Sequence, residues 1–174
     1  MPSRSLFFLV ACLVALLVPA GARAQQPAPS FELDGSQLKL PSPVAFETGT
    51  DKLAASSTPA LEHVKAYLEA KSYVTLMRIE SHTSSDGAAA ANQALSEKRA
   101  LAAARWLVAH GVDCKRLLPV GFGANKPVAD GSTPEGKAQN TRTVFVNAEL
   151  RGRAIGGMPV DGGGKVAGDP CAKK

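Results

Sequence analysis

The chain has 174 residues, a formal net charge of +5 and 45% apolar residues, of which few are aromatic. That length suits one domain plus a leader, and so mild a charge with so few aromatics argues against a nucleic-acid partner. A basic excess of this size is compatible, weakly, with a carboxylate-rich partner.

In chain order, Arg4 precedes an apolar run from Leu6 to Leu17, Pro19 breaks it, and Ala22-Arg23-Ala24 closes it. Residues 1–24 therefore read as a secretory signal cleaved before Gln25. The run is too short to span a bilayer comfortably. Leu9-Val10-Ala11-Cys12 offers a competing lipidation reading, but Cys12 comes early and more apolar chain follows it, which favours an ordinary residue of the signal. Loss of Arg4 and Arg23 leaves a charge of +5 − 2 = +3. Two cysteines then remain, Cys114 and Cys171. An even pair in an oxidising compartment predicts an internal disulfide, with free thiols or pairing to another chain as the alternatives.

Residues 25–37 form a polar leader that runs into a hairpin start. Phe31 to Leu40 alternates around Asp34-Gly35, a strong hairpin signal. Pro41 and Pro43 interrupt pairing, Val44 to Phe46 is expected to resume it briefly, and Glu47 to Leu53 reads as a loop. Ser57 or Thr58 is placed to cap a helix with Pro59 in its first turn. Leu61, Val64 and Leu68 give that helix its buried face, and Ser72 ends it. Val74 to Glu80 reads as an interior strand covered by helices. Asn92 to His110 predicts a long helix with Leu95, Ala102, Trp106 and Leu107 inward and Gly111 as its stop.

Leu118, Val120 and Phe122 alternate as a strand, which Pro119 assigns to an edge or an end. Gly123 to Gly136 reads as a long loop. Arg142 to Leu150 is the last strand, with Val144, Val146, Ala148 and Leu150 on one face. The expected fold class is mixed α/β, with a sheet of about four strands and helices packed on one face. Residues 151–174 hold seven glycines and almost no large apolar side chain, so this tail is expected to need Cys171 to pin it.

The chemistry is concentrated in Ser81 to Arg99. His82, Ser84 or Ser85, and Asp86 invite a Ser-His-Asp reading, but all lie within one turn and the chain has no G-x-S-x-G elbow. His82 and Asp86 as metal ligands lack an evident third partner. Neither a catalytic role nor a cofactor is expected. A binding role is better motivated: turn hydroxyls, exposed N–H groups before a helix, and Arg99 could clamp a carboxylate through the planar guanidinium fork. The plain alternative is that Ser84, Ser85 and Asp86 only shape the turn, with Arg99 in a weak surface ion pair.

Several ordered motifs resemble the OmpA-like C-terminal domain. They are Ser81-His82-Thr83-Ser84-Ser85-Asp86-Gly87, then Asn92 with Leu95-Ser96-Glu97-Lys98-Arg99-Ala100, then Gly111-Val112 with Arg116-Leu117. Gly121-Phe122-Gly123 with Pro127, and Asn140-Thr141-Arg142-Thr143, complete the series. Val44 to Glu47 fits the family's first strand, and the resemblance covers residues 38–150. It implies noncovalent attachment to peptidoglycan through the diaminopimelate of the stem peptide, with a helix arginine on the carboxylate and a turn aspartate on the ammonium. Carried over, the arginine is Arg99, whereas the aspartate position holds Ser84. Ser81 stands at a turn glycine, and Thr141 replaces the first arginine beside Arg142. The expected ligand set is Arg99, Asn92, Thr83, Ser84, Asp86 and Arg142, with Asp86 the candidate to supply the missing countercharge.

Two functions follow. One is a peptidoglycan-binding module weakened by Ser84. The other is a domain that keeps the fold, has lost the ligand and serves as a structural or protein-interaction module with an envelope protein partner. With no β-barrel ahead of the domain in this sequence, a soluble periplasmic location is expected, in association with the outer membrane or cell wall.

Overall fold

The computed structural model describes residues 30–155 and 162–172. The predicted signal, Cys12 and residues 25–29 of the leader lie outside the described residues, as do parts of the tail. The hairpin at Asp34-Gly35 is present as strands β1 (Leu33–Asp34) and β2 (Gln37–Leu38), with Gly35 at φ +56°. The long elements follow in the order helix α1 (Thr58–Ala70), strand β3 (Val74–His82), helix α2 (Ala89–Ala109), strand β4 (Leu117–Gly123), helix α3 (Pro134–Asn140) and strand β5 (Thr143–Leu150). Two-residue strands β6 (Arg153–Ala154) and β7 (Lys165–Val166) come from the tail.

The sheet is mixed, as expected, but among the described residues it has seven strands rather than about four, in the order β1-β2-β5-β3-β4-β7 with β6 beside β5. Beyond the expected hairpin, the added strands are β6 and β7 from the tail, two residues each and too short to show a periodic pattern. β3 sits at the centre, antiparallel to β5 with Ile79 opposite Phe145, and parallel to β4 with Ile79 opposite Pro119. The core forms between the Met77, Ile79 and Phe145 side of the sheet and the inner faces of α1 and α2, where Leu61, Val64, Leu68 and Leu107 are fully buried.

Several local expectations are corrected. Ser57 makes no side-chain cap bond. Its hydroxyl instead accepts from Ala45 N at 2.9 Å and donates to Ala45 O at 2.6 Å, fastening residues 43–46 to the start of α1. Those residues form only one bridge, Phe46 to Leu53, because each proline removes a ladder donor. On α2, Leu95, Ala102 and Trp106 are only half-buried, and the inward stripe is Ser96, Arg99, Ala100, Ala103, Ala104 and Leu107. Small residues face the sheet there because α2 lies almost against the β4 backbone: a Cβ on Gly121 would come within 2.4 Å of Glu97 N.

On β5 the buried face is Thr143, Phe145 and Asn147, while Val144, Val146 and Ala148 are half-buried on the side without helices. Asn147 is carried inward because its amide donates to the buried Tyr67 hydroxyl at 2.8 Å. The 123–136 segment is not all loop, since α3 begins within it: the Thr133 hydroxyl accepts from Gly136 N at 3.0 Å and Pro134 opens the helix. Pro119 lies one strand in from the edge, covered among the described residues by the two-residue β7, with Ala167 N donating to Pro119 O at 2.9 Å. The Cys114–Cys171 disulfide pins the tail as expected, with the two Cα atoms 5.2 Å apart across a separation of 57 residues.

Candidate functional site

The turn that follows β3 is built from both neighbouring strands. His82 N donates to Arg142 O at 2.8 Å and Thr83 N to Gly123 O at 2.9 Å. Ser81 is fully buried and receives a hydrogen bond from Thr143 Oγ1 at 3.1 Å, so a side chain is accommodated where the family has glycine. Gly87 provides the left-handed residue of the turn at φ +82°. Asn92, in the first turn of α2, donates to Asp86 O at 2.8 Å and ties the turn to the helix.

Beside this turn a pocket of about 330 Å³ opens between the 43–46 segment, the end of β3 and residues 138–143. Arg99 reaches it from α2 and is 7% exposed. Its Nε donates to Thr50 O at 2.8 Å, and its guanidinium carbon lies 5.0 Å from the Phe46 ring centroid. One edge of the fork is thereby held against backbone and a ring face, which is a cation–π arrangement. Burial lowers the Arg99 pKa, and the nearby Asp51 carboxylate opposes that shift. A guanidinium remains charged under such burial.

Arg142 lines the same pocket but its amino groups already serve the fold, one donating to Asn140 O at 3.2 Å and one to Lys126 O at 3.1 Å. Burial also lowers its pKa, with Glu80 opposing. Among the described residues Arg99 and Arg142 line the pocket with no carboxylate side chain beside them, so the lining they give it is cationic. Of the six residues expected to bind ligand, the structure thus gathers Arg99 and Arg142. Thr83 is buried with no partner for its hydroxyl among the described residues, and it is not among the residues that line the pocket. Ser84 N donates to Thr141 Oγ1 at 3.2 Å, and Thr141 does line the pocket.

Asp86 is engaged elsewhere. Its Oδ1 lies 2.7 Å from Lys137 Nζ on α3, and its Oδ2 accepts from Ser84 Oγ at 3.3 Å. The Lys137 hydrogen bond holds its carboxyl below the usual range. His82 stacks on Phe122 with centroids 5.0 Å apart, and neither of its ring nitrogens has a hydrogen-bond partner among the described residues. Among the described residues the acid close to it is Glu80, at 3.5 Å, not Asp86. Sequence reasoning missed Phe46 and the Thr50 carbonyl as supports of Arg99, and Lys137 as the partner of Asp86. Only Phe46 had a signal, as part of the first-strand motif.

This arrangement of a helix arginine, a β3–α2 turn and a mixed sheet defines an OmpA-like domain. Residues 45–141 match the OmpA family, and the chain belongs to it. It is 36% identical over 118 residues to the probable lipoprotein YiaD of Escherichia coli, covering 67% of this chain and 53% of that protein. It is 35% identical over 106 residues to the peptidoglycan-binding protein ArfA of Mycobacterium bovis, covering 60% of this chain and 32% of that one. The chain therefore spans about half or less of the length of these relatives. Among solved structures, the peptidoglycan-associated lipoprotein of Burkholderia pseudomallei superposes with a TM-score of 0.54 at 29% identity, covering 62% of this chain and 89% of that one. By their names these relatives are lipoproteins, one of them peptidoglycan-associated, and a peptidoglycan-binding protein.

Proposed function

We propose that this chain is a non-catalytic envelope module that binds peptidoglycan noncovalently through the diaminopimelate of the stem peptide. The observation that carries this reading is the Arg99 guanidinium, buried and pre-oriented in a cationic pocket beside the ligand turn. A carboxylate entering there meets a positioned fork, so little side-chain entropy is lost on binding. Arg142 adds positive potential, while Asn92 and Thr83 support the turn. The envelope character of the relatives supports an exported, periplasmic location at the outer membrane or cell wall.

The ammonium half of the ligand finds weaker provision. Ser84 offers a hydroxyl and no charge, and the ion pair of Asp86 with Lys137 argues that Asp86 does not stand in for it. Hydrogen bonds to charged groups contribute about 1.5–3 kcal/mol against roughly 1 for neutral ones, so affinity is expected about tenfold or more below that of a turn with the aspartate. The same ion pair favours a second reading, in which the fold persists as a structural or protein-interaction domain without the ligand.

Cosedimentation with purified peptidoglycan sacculi separates the two. Wild type is expected in the pellet and Arg99→Gln in the supernatant; equally poor sedimentation of both would leave the second reading. Ser84→Asp should raise retention about tenfold. No gain from it would mean that the turn already holds a countercharge.

A further inference from the structure

A larger groove of about 720 Å³ shares no lining residue with the Arg99 pocket. Its floor is the outer side of α2, where Leu101, Ala102 and Trp106 are half-buried. One wall is Leu53, and the other is Pro170 to Ala172, held against the domain by the Cys114–Cys171 disulfide. The volume falls within the roughly 300–1,000 Å³ usual for small-ligand clefts.

The lining is apolar apart from Asp51, Lys98 and Arg105. Lys98 and Arg105 are seven residues apart on α2, two turns or about 10.5 Å along the axis, and so lie on one face. Arg105 Nε is shut off from solvent and has no hydrogen-bond partner among the described residues. That N–H is costly while unmatched, and a rotation of the side chain toward the groove lets an acceptor reach it. With Lys98 and Arg105 against the single carboxylate of Asp51, the charged side of the groove is net positive, and together with the apolar floor it suits an apolar body carrying an anion.

We propose that this groove binds a free apolar carboxylate of the fatty-acid type, its chain along Leu101, Ala102 and Trp106 and its head group on Arg105. An extended peptide is a poorer occupant. The α2 amides and carbonyls are spent within the helix, and on the opposite wall the N–H groups of Cys171 and Ala172 are already bound to Asp169. A peptide backbone laid there would lose water without gaining partners, whereas an alkyl chain has no such requirement. The proposal is independent of peptidoglycan binding.

Trp106 is the only tryptophan in the chain and lines the groove, so its emission reads occupancy directly. The exported protein would be titrated with dodecanoate below its micelle concentration, and in parallel with dodecyltrimethylammonium. A saturable emission change with dodecanoate is expected, with a Kd about tenfold or more higher in Arg105→Gln and a correspondingly weaker response to the cationic head group. Absence of a saturable change, equal response to the two head groups, or an unchanged Kd in folded Arg105→Gln would each overturn the proposal. Should Arg105→Gln fail to fold, the head-group comparison on the wild-type protein decides alone.

Discussion

Gly121→Ala tests how the fold positions Arg99. Gly121 has no unusual φ, so the glycine is required by contact rather than by backbone conformation. An added Cβ would stand 2.4 Å from Glu97 N, 2.6 Å from Ser96 Oγ and 2.7 Å from Glu97 Cα. Carbon atoms normally approach to about 3.5–4.0 Å, and two of these three atoms are helix backbone that cannot rotate away. The Ser96 hydroxyl is committed as well, donating to Gln93 O and accepting from Gly123 N, each at 2.8 Å.

The substitution must therefore drive α2 away from β4. Overpacking of this kind costs roughly 1–3 kcal/mol, and loss of the Ser96–Gly123 hydrogen bond adds about 1 kcal/mol, giving about 2–4 kcal/mol together. Urea denaturation should show a lower midpoint with an unchanged slope. Because Arg99 follows Glu97 by two residues, the variant that remains folded should also lose retention on sacculi. Gly87→Ala is the contrasting control: at φ +82° with nothing within 4 Å, its cost is conformational alone, roughly 1–2 kcal/mol. A Gly121→Ala protein within about 0.5 kcal/mol of wild type would refute the close-contact argument.

Reduction of the Cys114–Cys171 bridge, which spans 57 residues, should cost about 4 kcal/mol on the chain-entropy model, read as a fall in denaturation midpoint under reductant. A midpoint insensitive to reductant would contradict it. Acid should destabilise the domain in two stages. Burial lowers the His82 pKa, so its contribution is complete above the unfolded value near 6.5 and is lost as pH falls from there toward the folded value. Burial alone would raise the Glu80 pKa, but His82 and Arg78 overcome it and the net shift is downward, so its contribution is lost below about pH 4.5. His82→Gln should flatten the first stage. A His82 that titrates at or above 6.5 by NMR would show that burial does not dominate at that ring.

Local sequence determined a good part of this protein. Asp34-Gly35 specifies a hairpin whatever surrounds it, since the turn needs a left-handed residue. The spacing of Leu61, Val64 and Leu68 specifies α1 and its inner face, and the ordered motifs from Ser81 to Arg142 specify the family. Thr133 and Pro134 carried a readable helix start for α3, but it was obscured by the glycines and prolines around it. The tertiary structure decided what the polar groups do. Arg99 meets the Thr50 carbonyl across 49 residues of sequence, and Asp86 meets Lys137 across 51 (137 − 86). Arg142 donates its amino groups to the carbonyls of Lys126 and Asn140 at the pocket edge, and α2 turns Ala103 and Ala104 inward instead of Leu95 and Trp106. Periodicity reports which side of an element is apolar, because burial of apolar area is additive along the chain. The partner of a charge depends on which distant backbone or side chain is brought within about 3 Å of it, and only the packed sheet and helices set that distance.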